Sequence, residues 1–134
     1  MDPLILPNQC YQEIIVSTQS QLPYEACGFL SGTHDQIQSV WPLENQLQSN
    51  LRFFVDKKTV RSTIKQFEAV QEDLIAIYHS HPTSKPLPSY GDIKNHMSDQ
   101  VLMMIVSYKY HEPSVKCFQI LNQHYQECPI QFSS

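Results

Sequence analysis

The apolar positions of this chain recur at two spacings, and the alternation between them outlines helices and strands. Cys10, Ile14 and Ile15 begin a one-sided stripe at helical spacing, so residues 8–21 are expected to form a helix, with Asn8 as its cap and Pro23 beyond its end. The run Ile14-Ile15-Val16 pulls the other way, because β-branched side chains also favour strands. Residues 26–31 are apolar and punctuated by Gly28, the pattern of a buried strand. Thr33-His34-Asp35 supplies a turn and residues 37–43 a second strand. A polar loop over 45–50 leads to a short third strand at 52–55.

Asp56 then heads the clearest helix, 57–73, whose inward face would carry Val60, Ile64, Phe67 and either Ala69 or Val70. Residues 74–78 form a wholly apolar strand. Three prolines between Pro82 and Pro88 require an irregular loop, after which Ser89 opens a short helix to about residue 98. Strands follow at 101–108 and 115–122, and 124–132 reads as an edge strand broken by Pro129. Helices and strands intermix, yet several strands connect without a helix between them. The expected class is α/β with α+β character: a mixed, mostly antiparallel, curved sheet flanked by helices.

Composition narrows the function more than the fold. The 134 residues, 41% of them hydrophobic, suit a single domain over 1–134 with a real core and no need of staples. The longest apolar run, Val101 to Val106, is far below the ~20 residues of a membrane helix. The first residues carry no basic segment ahead of an apolar one, so no secretory signal is read and a cytoplasmic location is expected. A net charge of −4 disfavours non-specific binding to nucleic acid, which relies on Lys and Arg neutralising phosphates. Neither nucleic acid nor membrane is therefore expected as a partner. Cys10, Cys27, Cys117 and Cys128 show no C-x-x-C spacing and are read as reduced thiols acting as small apolar residues.

Chemistry concentrates in Tyr78-His79-Ser80-His81-Pro82 and Pro88-Ser89-Tyr90-Gly91-Asp92. Alternation along a strand puts His79 and His81 on one side of the sheet, and the proline loop returns the chain to a helix start that brings Asp92 near. Two imidazoles, one carboxylate and an open fourth position make the ligand set of a catalytic zinc site; a structural site would close the fourth corner, usually with cysteine. Plainer readings stand beside this one. A His-x-His at a strand end is often a hydrogen-bonded pair, and Ser89-x-x-Asp92 also fits a capping box.

His-x-His, seven residues, Ser, two residues, Asp resembles the signature of the JAMM, or MPN-plus, metalloproteases of the prokaryotic JAB type, and His79, His81, Ser89 and Asp92 match it in full. The upstream Glu of that signature is best placed at Glu25, in Glu25-Ala26-Cys27-Gly28, which looks like the family's Glu-x-x-Gly strand after the first helix. The order of elements agrees, and the short, insertion-free chain looks like the compact bacterial branch. The resemblance implies an MPN/JAB fold, Zn2+ held by His79, His81 and Asp92, Glu25 as general acid–base, and Ser89 hydrogen-bonding the oxyanion. It also implies hydrolysis of a peptide or isopeptide bond without an acyl-enzyme. The implied substrate is a ubiquitin-like or ThiS/MoaD-like sulfur-carrier protein, its tail pairing with an exposed strand edge, as in desampylase or CysO-cysteine-peptidase-like enzymes. A homodimer stays open.

Two other function classes remain beside it: an MPN-type interaction module with little catalysis of its own, and a metal-binding domain without hydrolysis. Other metalloenzyme routes lack their motifs, since neither H-E-x-x-H nor the deaminase H-x-E…P-C-x-x-C pattern occurs. Glu13 and Glu44 compete with Glu25 but stand in the wrong context. Cys27, two residues from Glu25, lines the cleft or is a plain core thiol. His34, His96, His111 and His124 are read as surface or polar-contact residues, Tyr108, Tyr110 and Tyr125 as packing, and Trp41 as strand core.

Overall fold

A computed structural model describes residues 2–50, 54–96 and 98–134. The elements run β1 (Leu4–Pro7), α1 (Asn8–Ser20), β2 (Cys27–Thr33), β3 (Gln36–Leu43), α2 (Lys57–Glu68), β4 (Asp73–His81), α3 (Tyr90–Asn95), β5 (Leu102–Ser107), β6 (Ser114–Leu121), β7 (His124–Cys128) and β8 (Ile130–Ser133). The strands form one mixed sheet in the order β7-β6-β5-β4-β2-β3-β1-β8. Neighbours are antiparallel except at β1–β3, β1–β8 and β4–β5. The mixed sheet with flanking helices is the expected class.

Local chemistry explains most of the elements. Asp56 caps α2 by accepting a hydrogen bond from the Thr59 amide at 2.8 Å. Phe67 is buried from that helix against Phe29 and Trp41, whereas Ala69 and Val70, expected to face inward, are exposed. The reason is that α2 ends at Glu68 rather than Asp73: Gln71 turns the chain with a φ of 62°, and Asp73 already begins β4. Asn8 is likewise not a cap but the first helical residue, with Pro7 before it making no side-chain cap bond. The stripe on α1 does bury Cys10 and Ile14, continuing to Thr18.

Three sequence expectations about strands change. β1 was not foreseen, because Leu4–Pro7 is short and flanked by prolines. The strand expected at 52–55 falls partly on residues outside the described ones, and Phe54 and Val55 belong to no strand. The single edge strand expected over 124–132 is two strands on opposite edges of the sheet. β7 pairs with β6, then after Pro129 the chain enters β8 and pairs with β1, whose Leu4 amide donates to the Pro129 carbonyl at 2.9 Å. The sheet therefore curls until its two edges meet at one proline.

Both faces are covered. Leu4, Leu6, Ile14, Leu30, Tyr78 and Met104 belong to one buried cluster under α1, and Met103, Ile105, Phe118 and Ile120 form a second on which Ile93 of α3 packs. Gly28 faces Tyr78 across the β2–β4 pair, and a Cβ there would sit 2.3 Å from the tyrosine ring. Only glycine leaves room for that ring.

Candidate functional site

β4, α3 and β5 make a parallel strand–helix–strand unit, and the candidate residues gather where β4 ends and α3 begins. β4 is also the strand at which pairing switches from parallel, with β5, to antiparallel, with β2. Alternation along β4 turns His79 and His81 to one side and Ser80 to the other. Ser80 then accepts the Ala26 amide on its Oγ at 2.8 Å, and its own amide donates to the Ala26 carbonyl at 2.9 Å. This clip fixes the start of β2, and hence Glu25, against the histidine strand.

Ser89 caps α3 by accepting the Asp92 amide at 3.0 Å, while Asp92 Oδ2 accepts the Ser89 amide at 2.9 Å. The capping box and the ligand geometry coexist, and the box aims Asp92 back at the histidines. His79 Nε2 and His81 Nε2 lie 3.2 Å apart, and each is 3.1 or 3.0 Å from Asp92 Oδ2. The three sequence-predicted ligands are thus brought together as one triangle, the one such cluster of His, Cys, Asp and Glu among the described residues.

The electronic character of that triangle fits a cation. His81 Nδ1 contacts the Lys85 carbonyl at 2.8 Å and must donate to it, so a neutral His81 presents a bare Nε2 lone pair to an anionic oxygen. Electron pairs converging on one point are relieved by a proton or by a metal ion. Tetrahedral zinc with bonds of about 2.0–2.1 Å has ligand–ligand edges of about 3.3–3.4 Å, and the observed edges of 3.0–3.2 Å are close to that. Burial pushes the His79 imidazolium toward its neutral form despite the pull of Asp92. Burial opposes charge on His81 as well, but the Asp92 and Lys85 hydrogen bonds prevail and raise its pKa. Burial would also raise the Asp92 carboxyl; hydrogen bonds from both histidines hold it far below the usual carboxylate range.

A cavity of about 170 Å³ opens beside the triangle, lined by Glu25, Cys27 and Phe29 on one side and His79, Asp92 and Asn95 on another. Glu25 is 2% exposed, and its Oε1 has no hydrogen-bond partner. Burial and then the Asp92 charge push its pKa up to about 8, with His81 opposing. Glu13 and Glu44 are exposed and take no part in the cavity. Cys27, the cross-strand neighbour of His79, does line it, but burial followed by the Glu25 charge pushes the thiol up to about 12. A thiol held protonated in this way is a poor nucleophile.

Two residues mattered more than the sequence suggested. Asn45, expected in a polar loop, is buried; its Nδ2 donates to the Glu25 carbonyl at 2.7 Å and its Oδ1 accepts the Leu47 and Phe54 amides. Nothing in a run of polar residues singles it out. His96, read as a surface or polar-contact residue, makes the polar contact: half-buried at the cavity, its Nε2 lies 2.6 Å from the Val101 carbonyl. The strand edge expected to dock a tail has a counterpart here: Leu43 of β3 lines the cavity, and among the described residues β1 pairs with β3 at Ile5↔Gln36 while Leu43 pairs with Cys27 of β2.

Comparison with known proteins places these features in a wider set. Residues 7–121 match the family described as prokaryotic homologs of the JAB domain. The chain is 30% identical over 106 residues to the desampylase of Pyrococcus furiosus, spanning 79% of this chain and 75% of that one. It is 23% identical over 130 residues to the CysO-cysteine peptidase of Mycobacterium tuberculosis, or 95% of this chain and 89% of the relative. A solution structure of a Desulfitobacterium hafniense protein superposes with a TM-score of 0.88 at 26% identity, covering 96% of this chain and 92% of that one.

Proposed function

This chain belongs to the family of prokaryotic homologs of the JAB domain, and from that premise we propose that it is a zinc-dependent hydrolase of peptide or isopeptide bonds at the C-terminal tail of a small ubiquitin-like or sulfur-carrier protein. The observation that carries the reading is the juxtaposition of the His79–His81–Asp92 triangle with a buried carboxylate whose Oε1 lacks a partner. His79, His81 and Asp92 would hold the ion. Zinc bound there would supply Lewis acidity, polarising the scissile carbonyl and lowering the pKa of water toward neutrality.

The chain's own side chains supply the rest. Glu25 takes a proton from the attacking water at its unpartnered Oε1 and returns it to the leaving amine, a role typically worth about 10²–10⁴-fold. The Ser89 hydroxyl uses its oxygen to cap α3, which leaves its proton free to stabilise a developing oxyanion. Asn45 and Ser80 hold the Glu25 segment in place from its carbonyl and from the next residue's amide. The protonated Cys27 offers no covalent route, which favours direct attack by water over an acyl-enzyme. The apolar sides given by Phe29, Leu43, Val60 and Ile77 keep bulk water from the reacting bond.

The deciding experiment pairs metal and activity. Wild type, Asp92→Ala and Glu25→Gln are loaded with zinc, desalted and assayed for zinc per chain, then offered a ubiquitin-fold carrier with a Gly-Gly tail linked to lysine or to cysteine. The expected pattern is about one zinc in wild type and Glu25→Gln, little in Asp92→Ala, and hydrolysis by wild type alone. Zinc without hydrolysis of either adduct would instead make the chain a metal-binding interaction module.

A further inference from the structure

Charge is unevenly spread on this acidic chain. α2 holds four of its nine Lys and Arg residues, Lys57, Lys58, Arg61 and Lys65, against one acid, Glu68. All four cations are exposed, and none makes an ion pair among the described residues, whose one Lys–carboxylate bridge is Lys116–Glu127. Of the four, only Lys65, in the last turn, stands where the helix dipole favours a cation. The first turn of α2 has no acid and two lysines, at the end where the helix dipole disfavours cations.

The placement of α2 relates this charge to the site. Val60 lines the cavity with Glu25 and His79, and Phe67 anchors the helix on the sheet. Turning outward from Val60, Lys58, Arg61 and Lys65 follow one another at helical spacing along a shallow exposed groove with Ser62 and Gln66. Phe54 ahead of the helix and Val70 after it are 53% and 60% exposed, so the basic stripe has an apolar residue near each end. Outside α2 the chain is net negative, so among the described elements α2 carries the largest excess of cations, and through Val60 it borders the cavity.

We propose that the basic face of α2 docks the acidic surface of the folded protein whose tail enters the cavity. The proposal rests on the reading of the cavity as a tail-cleaving site and adds the partner's chemistry: an acidic body, held beside α2, with its C-terminus passing over Val60 toward His79. Complementary charge of this kind speeds encounter and sets orientation, and its effect fades as salt rises.

The test uses two probes with the same scissile bond: an acidic ubiquitin-fold carrier joined through its Gly-Gly tail to lysine, and a short peptide copying that tail. In the triple variant Lys58→Glu/Arg61→Glu/Lys65→Glu, kcat/KM on the carrier should fall about tenfold or more at low ionic strength, through KM, and approach wild type at high salt. Cleavage of the peptide should stay within about twofold, and an unchanged melting temperature would show the helix intact. A carrier with its acidic surface changed to lysine should recover rate with the triple variant. Equal loss on both probes, or no loss on either, overturns the docking face while leaving the hydrolase reading in place. Failure of wild type on both probes overturns the hydrolase reading and the docking face with it. If the triple change abolishes binding of a single-stranded RNA oligonucleotide and spares carrier cleavage, the face serves nucleic acid and the proposal fails.

Discussion

Asp92 and Glu25 are two carboxylates lining one cavity, and their surroundings differ in almost every respect. Asp92 receives hydrogen bonds from its own helix cap and faces two imidazoles, which hold it far below the usual carboxylate range. Glu25 is buried with an orphan oxygen, and burial followed by the Asp92 charge pushes its pKa up to about 8. The Asp92 wall comes from residues 79–92, a single strand–loop–helix passage. The Glu25 wall is assembled from afar, by Ser80 across 54 residues and Asn45 across 20. One wall favours a fixed negative charge, and on the other burial favours the protonated carboxyl.

The comparison breaks most completely at Asp92. Asp92→Ala should remove the bound metal and with it nearly all activity, a larger loss than the 10–100-fold typical of outer-shell partners; zinc per chain at wild-type level would refute the ligand set. Glu25→Gln should keep the metal and lose about 10²–10⁴-fold in turnover. The same variant sharpens the contrast in stability. A carboxyl whose pKa rises on folding, here from 4.5 to about 8, makes the metal-free protein less stable as pH climbs through that window, and the penalty is absent below it. Metal-free Glu25→Gln should therefore melt above metal-free wild type at pH 8, with the gap closing toward pH 4; equal melting curves at pH 8 would contradict a buried, unpartnered Glu25.

Smaller effects should fall on one wall only. Asn45→Ala leaves the Glu25 carbonyl and two loop amides without their partner, for about 1–3 kcal/mol of stability, and should lower turnover while zinc content stays at wild type. Loss of zinc in that variant would mean the walls are not separable. Ser80→Ala removes one hydrogen bond, about 0.5–1.5 kcal/mol, and is expected to lower kcat modestly with metal affinity unchanged, as metal titration and steady-state kinetics would show.

The same division governs what could be read from the sequence. The clustering of His79, His81 and Asp92 was legible because a strand period of two and a capping box are local patterns, and both survive folding unchanged. Glu25 was singled out only through the resemblance of Glu-x-x-Gly, and the structure places it at the cavity and gives that glycine a physical reason in the Tyr78 ring. Asn45 was not, since a buried asparagine looks like any other until the loop closes over it. The end of α2 was overrun because apolar residues continue past the point where Gln71 reverses the chain. β1, and the pairing of β8 with it, eluded the reading for another reason: Leu4 pairs with Ile130, and no local pattern encodes a partner 126 positions away.

That last pairing has a consequence for how the protein comes into being. Of the strands of this sheet β1 is made first, and its partner β8 only after all the others. Until then Leu4 and Leu6, both buried in the finished fold, lie at an open border of the sheet. Contacts so distant along the chain are slow to form and leave apolar strand edges exposed meanwhile. A nascent chain stalled after Cys128 is therefore expected to yield to protease within β1 and α1, and one extended through Ser133 to resist. Synthesis, more than collapse, sets the moment at which this molecule becomes closed.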